Sequence, residues 1–177
     1  CTLLAACCLA AAAPTADACT SFLVGKKASA DGSTMITYCA DSHTLYGDIE
    51  HTPAADHKPG DLRKVYDWDS GKYLTSIPQP AHTYGVNGNM NELGVAITES
   101  TWGGRHETEG SGLIDYGSLI FITLERARTA REALDIMTSL VKEYGYASEG
   151  ESFSIADPNE VWIMDLVGKG KADKGAV

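Results

Sequence analysis

Between Tyr116 and Tyr144 the apolar positions recur at intervals of three and four. Leu119, Ile120, Leu124 and Ala127 form one stripe, with Thr123 on the same face, and Ile136, Met137, Leu140, Val141 and Tyr144 continue it. This spacing predicts helix. Thr129 followed by Glu132 is a capping box, so the helical stretch restarts there, and Gly145 supplies its stop. Such a stripe is core packing rather than a cofactor box. Elsewhere the period shortens. Thr20 to Gly25 and Thr34 to Tyr38 read as two strands of a hairpin around a polar turn containing Asp31-Gly32. Thr83 to Val86 and Gly94 to Ser100 read as a second strand pair. Asn87 to Leu93 joins them, a turn rich in residues that tolerate left-handed backbone. Ser152 to Ala156 and Val161 to Val167 form a third hairpin, apolar on both faces and therefore expected to be covered on both. Ser42 to Ala81 has little periodicity and reads as one long loop excursion. Strands, then helices, then strands again predict an α+β fold.

The apolar, alanine-rich run from Leu3 to Ala13, then Pro14 and the small triplet Ala16-Asp17-Ala18, reads as the back half of a signal peptide with an A-x-A cleavage site. Cleavage after Ala18 makes Cys19 the first mature residue, so one residue carries a thiol and a free α-amine. That is a nucleophile with its base, because the attacking species is the thiolate and an α-amine titrates near neutrality. Residues 1–18 are then a partial signal peptide, and the protein is expected to be exported, either periplasmic or secreted. Leu4-Ala5-Ala6-Cys7 is a competing signal, a lipobox that would anchor the chain through Cys7.

With 177 residues, 44% of them hydrophobic, the chain can bury one substantial core. The leader run is too short to span a bilayer. A net charge of −10 argues against nucleic acid or an anionic membrane as partner. His43, Asp48, His51, Asp56 and His57 match no compact ligand spacing, so no metal or other cofactor is expected. Oligomeric state is left open, a homo-oligomer included.

The run Cys19-Thr20-Ser21-Phe22-Leu23-Val24-Gly25-Lys26-Lys27-Ala28-Ser29, with Asp31-Gly32-Ser33-Thr34 after it, resembles the start of mature dipeptidase A-type peptidases. These are relatives of the secernins and of bile-salt and penicillin amidases, among the N-terminal-nucleophile hydrolases. Asn91 to Ala96, Thr101 to Gly104 and Asp157 to Met164 extend the resemblance over nearly everything after Ala18. It implies a four-layer αββα sandwich for residues 19–177 and hydrolysis of short peptides by Cys19. It implies that Asp41, at the end of the first hairpin, orients the α-amine. Tyr38 stands where relatives often carry an arginine. Asn91, Thr98, Glu99, Trp102 and Arg105 fall in the region that leads to the substrate pocket, with Trp102 and Arg105 on a rim suited to a peptide carboxylate. Cys39 is expected to be an inert, buried cysteine. Relatives continue well beyond the polar tract Gly168 to Val177, so the chain is expected to be the amino-terminal part of such a domain, poorly active by itself. An amidase for linear non-peptide amides such as conjugated bile salts is the alternative enzyme. An exported, catalytically inactive binding protein is the alternative outside enzymes.

Overall fold

The computed structural model describes residues 19–40, 47–102 and 105–177. Along the chain run β1 (Leu23–Val24), β2 (Met35–Ile36), β3 (His51–Thr52), β4 (Ala55–Asp56), β5 (Leu62–Tyr66), β6 (Tyr73–Pro78), β7 (His82–Thr83), β8 (Val86–Asn87), β9 (Met90–Asn91) and β10 (Ala96–Trp102). Then come a short 3₁₀ turn (His106–Thr108), α1 (Tyr116–Leu124), α2 (Ala130–Tyr144), β11 (Gly150–Ala156) and β12 (Val161–Leu166). The fold is α+β, mostly sheet with two helices.

Six strands form one antiparallel sheet in the order β12-β11-β10-β9-β8-β3. The long strands β10 and β11 pair from Ala96↔Ala156 to Trp102↔Gly150, which sets two faces by alternation. Ile97, Phe153 and Ile155 project on one face, each fully buried. Helix α1 packs over β10 there, and α2 over β11 and β12. Burial of such side chains contributes about 1.5–3 kcal/mol each.

Both helices start as their sequences require. The Asp115 carboxylate accepts from Ser118 N at 3.2 Å, and the Thr129 hydroxyl accepts from Glu132 N at 3.2 Å. Glu132 closes its box one residue early, accepting from Arg128 N. Gly145 ends α2 at φ +79°, a conformation an L side chain rarely adopts.

The opposite face of the sheet carries the first hairpin. Leu23 pairs with Ile36 and Val24 with Met35, and β2 lies against β11. At its open end Thr20 and Cys39 exchange two backbone hydrogen bonds of 3.0 Å. Thr34 Oγ1 donates to Asp157 O at 2.6 Å and Lys26 Nζ to Asn159 Oδ1 at 3.1 Å, fastening the hairpin to the β11–β12 turn.

Three expectations need correction. The stretch Ser42 to Ala81 is no loop excursion, because it contains β3 to β6. Val65 and Ile77 of the β5–β6 hairpin are buried in the main core, and Arg63 pairs with Glu125 beside α1. Trp68 stacks on Phe121 at 4.9 Å. The segment Thr83 to Val86 does not pair with β10; β9 stands between them, and Gly88 and Gly94 take the positive φ values that its two tight turns need. Finally, β12 is an edge strand with Ile163 63% exposed, so the last hairpin is not covered on both faces. The polar tract after it folds back, Val167 and Val177 exchanging backbone hydrogen bonds of 2.7 and 2.9 Å.

Candidate active site

Strand β10 pairs with β9 only at Ala96↔Met90, so beyond Ala96 that edge of β10 carries no strand among the described residues. Cys19 sits across this open edge. Its carbonyl accepts from Ser100 Oγ at 2.7 Å, while its Sγ lies 3.6 Å from Glu99 Oε1. Since Glu99 and Ser100 point to opposite faces, one residue of the hairpin terminus meets both sides of the sheet. Cys19 is half-buried.

Glu99 itself is buried. The Tyr38 hydroxyl donates to the same Oε1 that faces the thiol, and Thr101 Oγ1 lies 3.3 Å from Oε2. Burial, and then the bond and charge of Glu99, push the Tyr38 phenol well up. Tyr38 therefore remains a donor across the useful pH range. Thr101 Oγ1 also lies 3.1 Å from both oxygens of Glu151, which is completely buried. Burial above all, then the hydrogen bond to Glu99 and its charge, hold the Glu151 carboxyl far above the usual carboxylate range. Glu151 therefore keeps its proton at neutral pH.

On the hairpin side lies a cavity of about 710 Å³, bounded by Met35, Ile36, Tyr38, Met90, Thr98 and Pro158 among others. Its lining is mainly apolar. Thr98 Oγ1 is buried there and has no hydrogen-bond partner among the described residues.

The other expected site residues divide. Trp102 lies on the strand face that carries Thr98 and Ser100, its Nε1 donating to Ser152 Oγ at 3.0 Å. Its ring covers Gly150, where a Cβ would meet ring carbons at 2.5 Å. Trp102 and Arg105 line a recess of only about 70 Å³. That is too small for a dipeptide. Asn91 is not brought to the cavity. It is buried, its Nδ2 donating to Leu124 O at 2.8 Å and Ala127 O at 2.7 Å, and its Oδ1 accepting from Leu93 N at 3.1 Å and Val95 N at 3.0 Å. With all four amide positions engaged by backbone, Asn91 ties the β9–β10 turn to the end of α1 and has nothing left for a substrate. Cys39 is exposed, not buried. Ala18 and Asp41 lie outside the described residues, as do Cys7, His43, Gly103 and Gly104.

Of the polar loop residues, His51 meets Asn87 at 2.7 Å, Asp56 meets His82 at 2.7 Å and His57 meets Thr83 at 2.9 Å. Among the described residues no three His, Cys, Asp or Glu side chains converge as metal ligands would. Thr101 and Glu151 were not anticipated. Their signal is the shared face of β10 and β11, which appears only once Thr101 is known to stand opposite Glu151.

A family model described as Peptidase family C69 matches residues 18–85 and 63–175. The chain is 32% identical over 168 residues to a probable dipeptidase of Latilactobacillus sakei, covering 85% of this chain and 35% of that protein. It is 31% identical over 171 residues to a probable dipeptidase A of Streptococcus pyogenes serotype M3 (strain SSI-1), covering 85% of this chain and 36% of that protein. The chain thus spans about a third of the length of the curated relatives it matches.

Proposed function

Because the chain belongs to peptidase family C69, we propose that it works as an exported cysteine-type dipeptidase, with Cys19 as the amino-terminal nucleophile released by cleavage after Ala18. The single observation that carries this reading is the position of the Cys19 thiol, 3.6 Å from a buried carboxylate at an open strand edge. The names of the relatives, probable dipeptidases, supply the substrate class.

In the proposed reaction the α-amine of Cys19 takes the thiol proton, and Sγ attacks the carbonyl of the peptide bond. The Sγ–C bond forms, the C–N bond breaks, and the leaving amine takes the proton. Water then attacks the thioester, returning a proton to sulfur and releasing the first amino acid. Asp41 orients the α-amine. Tyr38 donates to Glu99 and steadies the carboxylate beside sulfur. The apolar cavity beneath the hairpin accommodates a peptide side chain, and Thr98 offers it one polar contact. The proposed frame is the four-layer αββα sandwich, with the helices on one side of the sheet and the hairpin on the other as two of its parts.

The test is the mature terminus. Intact mass should show a chain beginning at Cys19, and a variant that retains one residue before it should stay folded while losing peptide hydrolysis, because acylating the amine removes the base. Undiminished hydrolysis by that variant would overturn the mechanism. Bile-salt deconjugation without dipeptide release would favour the linear-amide reading instead.

A further inference from the structure

Glu99 is a buried carboxylate with a buried carboxyl neighbour, and among the described residues none of the ion pairs reaches either Glu99 or Glu151. A buried charge with no counter-ion is costly. The cost rises as the site starts to work. In the resting site Glu99 Oε1 faces two hydrogen donors, the Tyr38 hydroxyl and the Cys19 thiol. When the thiol proton passes to the Cys19 α-amine, Glu99 Oε1 loses one of its two donors, 3.6 Å away. A cationic donor from the substrate would take that place on Oε1.

A peptide substrate carries such a cation at the right distance. Standard geometry puts the α-nitrogen of a residue about 2.5 Å from its own carbonyl carbon. In an attack-ready complex that carbon is about 3–3.5 Å from sulfur, and an ammonium–carboxylate hydrogen bond spans about 2.7–2.9 Å. These lengths close a four-membered circuit on the observed 3.6 Å from Sγ to Oε1 without moving either group. Glu151 keeps its proton and so brings no second charge to that ammonium.

We propose that Glu99 determines specificity at this site, its carboxylate receiving the α-ammonium of a peptide whose first carbonyl is presented to Cys19 Sγ, so that peptides with a free amino terminus are selected. This rests on the dipeptidase reading above and deepens it. Tyr38 and Thr101 hold the two oxygens of Glu99 in place, and the ammonium takes the position on Oε1 that the thiol proton vacates.

The experiment compares alanyl-alanine with its des-amino analogue propionyl-alanine, which lacks only the charged group, on the wild-type protein and on Glu99→Gln. Wild type should favour the free dipeptide by about 100-fold or more in kcat/KM, since a site built to bind a polar group strongly rejects the analogue without it. Glu99→Gln should lose that preference, chiefly through a raised KM for the free dipeptide. Alkylation of Cys19 by iodoacetamide, read by peptide mass, should be no slower in the variant. Equal turnover of the two substrates by wild type would overturn the inference and leave the dipeptidase reading intact. So would a Glu99→Gln protein that loses both substrates equally and alkylates more slowly, because Glu99 would then serve the α-amine of Cys19 itself. No turnover of either substrate by wild type would overturn both. The wild-type substrate pair decides the matter even if Glu99→Gln fails to fold.

Discussion

Tyr38 and Glu99, 61 residues apart in sequence, share a hydrogen bond at the same carboxylate oxygen that faces the Cys19 thiol. Tyr38 leaves the hairpin near its open end and Glu99 projects from β10, so this bond ties the terminus of the hairpin to the sheet. It also decides which Glu99 oxygen is engaged beside sulfur. The phenol provides a donor without adding positive charge.

Tyr38→Phe keeps the ring against the cavity and deletes only the donor. Expected are a loss of about 1 kcal/mol in stability and a fall of about tenfold in kcat/KM for a dipeptide, because Glu99 Oε1 loses the donor that fixes it beside the thiol while Thr101 holds only Oε2. Paired urea unfolding and peptide hydrolysis measure the two effects. Wild-type turnover in the variant would show that the bond is structural only.

The two cysteines should separate cleanly. Cys19→Ala should abolish turnover and acyl-enzyme formation. Cys39→Ala removes an exposed side chain and should change stability by no more than about 0.5 kcal/mol, with hydrolysis retained. Loss of hydrolysis on changing Cys39 alone would reverse the assignment.

Glu151 makes stability depend on pH. Its carboxyl is raised above its unfolded value, so the folded state binds more protons than the unfolded state once pH exceeds about 4.3. The stability it contributes is complete below that pH and is lost as pH rises through the elevated folded value. Glu151→Gln keeps a neutral side chain at every pH. The gap in melting temperature between variant and wild type should therefore widen in the variant's favour from pH 5 to pH 8. A gap independent of pH would refute the argument.

Asn91→Ala strips four hydrogen bonds from buried backbone at the junction of the β9–β10 turn with α1. It should destabilise the protein by about 2–3 kcal/mol while leaving KM unchanged in whatever fraction remains folded. A raised KM with normal stability would return Asn91 to the substrate pocket.

The elements with strong local signals were readable in the chain. The Thr129–Glu132 box, the Gly145 stop, the Asp31-Gly32 turn and the last hairpin all rest on interactions between residues close in sequence. So does the place of Cys19 at the open end of a hairpin. The strands β5 and β6 were not readable, because their inward residues are isolated in short segments, Val65 between exposed Lys64 and Tyr66 and Ile77 between Ser76 and exposed Pro78. Their position is set by distant groups, namely Glu125 and Phe121 beside α1.

The site divides along the same line. A thiol behind an A-x-A sequence and a hairpin returning to it are local facts, and local covalent order determines them. Which carboxylate faces that thiol is a question of register. Glu99 meets Cys19 across 80 residues and Thr101 meets Glu151 across 50. A shift of one residue in the β10–β11 ladder would turn these side chains to the other face of the sheet. The packing of Ile97, Phe153 and Ile155 beneath the helices forbids that shift. Tertiary packing alone therefore decided that the Glu99 carboxylate would lie against the Cys19 thiol, and that Asn91, polar and sited in a turn, would be spent on the backbone.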